Sequence, residues 1–182
     1  DEAFYYCMEL EKIEFEEGLK SIGVNAFVGT YSIVGDIVLP STLEHIGDFA
    51  FAFSNANIII TGNNLTTIGK NAFTACPAIT NMVIPNSVTS LGEYAFENCI
   101  NLESITLSSG MTKIEKGTFM GCSVLSEVII PSSISYLSEY AFGMCIGLKE
   151  LYLPTHITII KYKAFFGCSS LIVNVEAVQK PS

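Results

Sequence analysis

Hydrophobic and polar positions follow two superimposed periods along this chain, one of two residues inside short segments and one of about 23 residues across the whole length. Residues 91–107, LGEYAFENCINLESITL, serve as the template, and near-copies recur from one end to the other. Aligned on the phenylalanine of the usual Ala-Phe pair, they place Phe4, Phe27, Phe51, Phe73, Phe96, Phe119, Phe142 and Phe165 at spacings of 23, 24, 22, 23, 23, 23 and 23 residues. Such a period, with apolar residues at fixed places inside it, predicts stacked coils, each burying its apolar face against its neighbours.

Written as a motif, the template is L-G-x-x-A-F-x-x-C-x-x-L-x-x-I-x-L, usually followed by proline. In its last segment Ile105 and Leu107 face one way while Ser104 and Thr106 face the other, as a strand requires. Pro40, Pro85, Pro131 and Pro154 follow these segments, where a residue without an amide donor ends a ladder and starts a turn. The strands are therefore expected to be about three or four residues long. Inward pairs are read at Ile13/Phe15, Met82/Ile84, Ile105/Leu107, Val128/Ile130 and Leu151/Leu153.

These residues resemble a known family. The segment Leu102-x-x-Ile105-x-Leu107 is similar to the strand of leucine-rich repeats, and the following S-x-x-x-I-G-x-x-A-F-x-x-C pattern looks like the BspA-type subclass of bacterial and protist surface proteins. The resemblance covers nearly the whole chain in eight copies. It implies a leucine-rich-repeat solenoid with short parallel strands on its concave side and irregular or short helical turns outside. It also implies an extracellular or cell-surface location, a role in adhesion or protein binding, no catalytic residue and no cofactor.

Residues 1–178 are read as a single array and 179–182 as an exit or linker. The chain opens inside a repeat, with Ala3-Phe4 and Cys7 already in the second half of the template, so it is expected to be part of something longer. One extra residue near Gly35 predicts a small bulge between coils two and three. The segment 57–62 lacks the proline and is one residue short, which leaves open which of Ile58, Ile59 and Ile60 face inwards. After Cys168 the pattern is read as decaying, with Asn174 and Glu176 falling where core residues should be. The turn glycine at Gly23, Gly47, Gly69 and Gly92 becomes Glu115, Ser138 and Lys161, so no glycine-only backbone conformation is required there.

Composition changes this picture little. A hydrophobic content of 49% with a mean hydropathy of +0.45 suggests a membrane protein, but the repeat spaces the apolar residues out. No run approaches the roughly 18 residues that would span a bilayer, so membrane insertion is not expected within this chain. The nine basic residues are all lysine, against eighteen carboxylates, and the net charge of −9 argues against nucleic acid as a partner. Asn64-Leu65-Thr66 is a glycosylation sequon, meaningful only in a secreted eukaryotic protein; a solvated turn is the simpler reading.

Candidate chemistry is sparse. Cys7, Cys76, Cys99, Cys122, Cys145 and Cys168 share one repeat position, taken by Thr30 and Ser54 in coils two and three. Stacking at strand spacing does not exclude a bridge, but parallel side-chain directions suit one poorly, so buried free thiols are expected. A column with 23-residue spacing and no CxxC does not converge on a metal either. His45 and His156 lie in coils far apart, and a Cys145–His156 dyad would pair an inward position with a polar turn. Glu127 and Glu150 should stack on adjacent strands, as a solvated acidic face more than a calcium site.

The expected ligand-binding residues are those facing out of the sheet. One column, mostly apolar and β-branched, reads Glu14, Val38, an unassigned residue near Ile59, Val83, Thr106, Ile129 and Tyr152, beside a polar margin of Lys12, Asp36, Asn81, Ser104, Glu127 and Glu150. The candidate site is Asn81, Val83, Ser104, Thr106, Glu127, Ile129, Glu150 and Tyr152, for a protein or other macromolecule. Strand propensity alone also accounts for β-branched residues there. The opposite face, with Thr112, Lys113 and Tyr136, is expected to matter little. The alternative function is a passive spacer carrying another domain away from a cell surface.

Overall fold

The computed structural model describes residues 1–175, and in it the phenylalanine column is the axis on which the coils are stacked. All eight rings lie in one continuous pile, with neighbouring centroids 5.0 to 5.8 Å apart and interplanar angles of 8° to 26°. Phe51, Phe73, Phe96, Phe119 and Phe142 are fully buried. The core runs along the array, with each ring from Phe27 to Phe142 bearing on the coil before and after it.

The chain around each ring forms a ladder of its own. Phe27 donates its amide to the Ala50 carbonyl, while Asn25 and Gly29 on either side donate to Asp48 and Ala52. The same three bonds recur at each coil interface as far as Gly121 to Gly143, and two are made at the last one, by Phe142 and Met144. Bringing these amides into line requires positive φ two residues before and two residues after the phenylalanine, as at Tyr94 (58°) and Asn98 (56°). Asparagine recurs at these places, in Asn25, Asn71 and Asn98, because it tolerates the left-handed region better than most residues.

Two sheet faces flank this column. The longer strands are β2 (Asp36–Leu39), β4 (Asn57–Ile60), β6 (Asn81–Val83), β8 (Ser104–Thr106), β10 (Glu127–Ile129), β12 (Glu150–Leu153) and β14 (Ile172–Val175). They pair in parallel as β2-β4, β6-β8-β10 and β12-β14. Ahead of each phenylalanine after Phe4 lies a two-residue strand, from β1 (Ser21–Ile22), β3 (His45–Ile46), β5 (Thr67–Ile68) and β7 (Ser90–Leu91) to β9 (Lys113–Ile114), β11 (Tyr136–Leu137) and β13 (Ile159–Ile160). These pair as β1-β3-β5-β7 and β9-β11-β13. The described residues form no helix, so the turns outside the sheets are irregular rather than helical.

Several expectations need correction. Residues 11–16 hold Ile13 and Phe15 half-buried, but no strand forms there. The extra residue of coil two makes no bulge, because β2 pairs with β4 over four residues in unbroken register; the turn before β2 absorbs it, where Gly35 adopts φ +90°. That register settles coil three: Ile58 and Ile60 align with Ile37 and Leu39, and Ile59 lies beside outward Val38. The last strand does not decay as expected, since Val173 and Val175 align with Leu151 and Leu153, and Asn174 takes the outward place beside Tyr152. Val173 and Val175 are exposed because no described coil stacks on them. Glu176 and the exit at 179–182 fall outside the described residues.

Candidate ligand-binding face

The sequence-chosen residues do lie together on the outer face of the longer strands. In β6-β8-β10 the register aligns Asn81 with Ser104 and Glu127, and Val83 with Thr106 and Ile129. Alternation forces this, since Met82, Ile105 and Val128 occupy the intervening positions and turn towards the core. Val83 is 65% exposed, Ile129 40% and Tyr152 53%, whereas Ser104 and Thr106 are half-buried between their neighbours. Glu150 and Tyr152 belong to the next sheet, β12-β14, so the hydrogen-bonded ladder is interrupted between Glu127 and Glu150.

Polar and apolar columns differ in how they are held. Across the margin, Ser104 Oγ donates to Asn81 Oδ1 at 2.6 Å, and Asn57 Nδ2 donates to Asp36 Oδ1 at 2.8 Å. The Tyr152 hydroxyl donates to Glu150 Oε2 at 3.0 Å, which fixes the ring beside its acidic neighbour. At the N-terminal end an open groove lined by Glu11, Lys12, Ser32, Val34 and Asp36 adjoins the margin, and Lys12 there is paired with Glu14. That pairing holds the Glu14 carboxyl below its ordinary value, through the Lys12 hydrogen bond first and its charge second. The face therefore offers an exposed apolar stripe, extended by Val38 and Ile59, beside an ordered polar edge.

The thiol column is only partly as expected. Cys76, Cys99, Cys122 and Cys145 are buried, but Cys7 is exposed and Cys168 is half-buried, because each lies in an end coil of the described array. Each thiol from Cys76 onward lies 3.0 to 3.1 Å from the carbonyl of the phenylalanine one coil back, as Cys99 Sγ does from Phe73 O. From Cys76 onward the side chain at this place is therefore both small and a donor across the coil interface. Thr30 bonds differently: its buried hydroxyl lies 3.0 Å from Phe27 O of its own coil and 3.0 Å from Ser54 Oγ. Spacing showed the column; the bonds its members make are visible only in the fold, where Ser54 Oγ accepts from Thr30 and from the Ala56 amide.

Burial also works against nucleophilic chemistry at these thiols. It pushes the Cys99 thiol up to about 12, and it raises Cys145 as well, with the charge of Cys168 second. His156 lies exposed in a turn while Cys145 is buried, and His45 Nδ1 is 2.8 Å from Thr67 Oγ1 on the other sheet. Among the described residues no three metal-binding side chains cluster. The sequon amide of Asn64 donates to the Ser41 carbonyl at 2.8 Å, tying two coils together with the very nitrogen a sugar would use.

The model of the BspA type leucine rich repeat region matches in six copies, over residues 1–99 and 66–178. The chain belongs to the BspA-type leucine-rich repeat family. Among solved structures it is similar to the leucine-rich repeat protein of T. pallidum, at 31% identity and a TM-score of 0.74, covering 81% of this chain and 69% of that one. A leucine-rich cell surface protein from Faecalibacterium prausnitzii A2-165 matches at 24% identity and a TM-score of 0.63, over 98% of this chain and 63% of its own. A leucine-rich repeat protein from Eubacterium ventriosum ATCC 27560 matches at 19% and 0.60, over 93% and 66%. The latter two likenesses speak for the fold alone, and the chain spans less than two thirds of each. No curated protein matches. No helix among the described residues is long and apolar enough to cross a membrane.

Proposed function

We propose that this repeat array is a non-catalytic recognition module of a cell-surface or secreted protein, binding a protein or other macromolecule on the outward face of its longer strands. One observation carries the reading. Val83, Ile129 and Tyr152 stand exposed on the outward side of β6, β10 and β12, beside a margin of Asn81, Ser104, Glu127 and Glu150. An exposed apolar stripe with a polar edge suits a protein interface. Membership of the BspA-type leucine-rich repeat family supports the location and the interaction role.

Interface energy concentrates in a few residues, aromatic ones prominent, so Tyr152 and Ile129 should each be worth about 1–2 kcal/mol or more of affinity. Glu127 and Glu150 at the edge should instead govern association rate and salt dependence. The test is binding to a surface coated with solubilised extracellular-matrix proteins, for the parent chain and for Tyr152→Ala, Ile129→Ser and Thr112→Ala. Loss in the first two with the third unchanged is expected. Equal binding by all of them would remove the face from consideration and favour the passive spacer.

A further inference from the structure

The two-residue strands carry a second surface, and it changes character halfway along the array. In β1-β3-β5-β7 the outward residues are Ser21, His45, Thr67 and Ser90; in β9-β11-β13 they are Lys113, Tyr136 and Ile159. Lys113 Nζ lies 5.0 Å from the Tyr136 ring centroid, and Lys161 Nζ lies 5.9 Å from the same ring. Beside them Lys163 Nζ is 4.9 Å from the ring centroid of Tyr162, 5.1 Å from Phe166 and 5.8 Å from Tyr140. Tyr162 is 69% exposed.

This is a local reversal of charge in an acidic chain. Residues 1–17 hold seven carboxylates and one lysine, whereas residues 151–175 hold two lysines and no carboxylate. Lys12, Lys20, Lys70, Lys113 and Lys116 each lie against a glutamate, Glu14, Glu44, Glu93, Glu115 and Glu139 in turn. Lys161 and Lys163 are different: among the described residues their neighbours are aromatic rings, which hold an ammonium in place without neutralising it. Tyr162 first, then Tyr140, keep the Lys163 ammonium above its ordinary value, so it stays charged.

We propose that the surface formed by Tyr136, Tyr140, Lys161, Tyr162 and Lys163 binds an acidic segment of a partner polypeptide. Charge complementarity selects an anion, and cations already ordered on rings lose less freedom when it arrives. A polypeptide is favoured over an acidic polysaccharide because Ile159 and Phe166, both exposed, border the lysines. Branched apolar contact between charges is what alternating acidic and apolar side chains supply. The surface lies on a different sheet from the stripe of Val83, Ile129 and Tyr152, so the two proposals can fail separately.

The probes are a fluorescent peptide alternating glutamate with leucine, and polygalacturonate, each titrated into the full chain. Peptide affinity is expected to drop about tenfold or more in Lys161→Glu/Lys163→Glu and to weaken as salt rises. Tyr162→Ser, which removes one of the three rings around Lys163, should weaken it less, and Lys12→Ala should leave it unchanged. Circular dichroism confirms that each variant is folded. Absence of peptide binding, equal binding by the double variant, or binding of polygalacturonate alone would overturn the proposal.

Discussion

At the scale of single residues, the phenylalanine column and the thiol column differ in what they contribute. Phe96 is fully buried between the rings of Phe73 and Phe119, so Phe96→Ala removes ring contacts on both sides and leaves a cavity that the stacked backbone cannot collapse to fill. That truncation should cost about 3–5 kcal/mol, against less than about 0.5 kcal/mol for exposed Thr112→Ala. Urea midpoints decide it, and equal midpoints for the two variants would mean that the column is not the core. Thiol exposure gives a graded test of the other column. Without reductant, a thiol-reactive dye should label Cys7 at once, Cys168 more slowly, and Cys76, Cys99, Cys122 and Cys145 only after denaturation. Labelling of all six in the native state would show that the coils open more readily than their packing implies, and fewer than six in denaturant would reveal bridges.

At the scale of elements, much was legible because alternation and prolines speak directly to strands. Ile105 and Leu107 are buried as their period requires, and Pro40, Pro85, Pro131 and Pro154 each accept the amide of the residue three places on, closing the turn after the strand. The two-residue strands were not legible, since Ser90-Leu91 is too short to show a period and reads as part of a turn. The turn glycines were read correctly as free of positive φ, but that was only half of their role. A Cβ on Gly69 would lie 2.5 Å from the backbone carbon of Gly47, so glycine is there for close approach. The four-stranded ladder ends at Leu91, at the step where Gly92 gives way to Glu115, and a new ladder starts at Lys113. Gly69→Ala should therefore cost about 1–3 kcal/mol, the usual range for forcing an atom into packed structure. Thermal unfolding of Gly69→Ala beside Ser90→Ala would check this, and matching midpoints would mean the coils have room to part.

At the scale of the whole molecule, three ladders run along the array and their interruptions are staggered. The longer-strand ladder is broken between β4 and β6 and between β10 and β12, and the two-residue ladder between β7 and β9. Where one is broken the other continues, through β3-β5, β9-β11 and β8-β10 respectively, and the phenylalanine ladder crosses every interface. The first coil is the exception. Residues 1–17 form no strand and join the second coil by the amides of Glu2, Phe4 and Tyr6, by the contacts of Phe4 and Phe15 with Phe27, and by side-chain bonds at Asp1, Glu2 and Glu17, with Tyr5, Tyr6 and Met8 exposed. In an array where each repeat touches only its neighbours, such an end should open on its own, at a free energy well below that of the interior. Native-state hydrogen exchange should therefore find the Phe4 and Tyr6 amides exchanging faster than those of Phe96 and Phe119, although all four make the same bond to the next coil. Mild denaturant should leave the Phe4 and Tyr6 rates nearly unchanged while raising those of Phe96 and Phe119 steeply, because a small opening exposes little surface and a global one exposes much. Equal rates with equal denaturant dependence would show that the eight coils unfold as one unit, and that the missing ladders at the first interface carry little of the coupling along the solenoid.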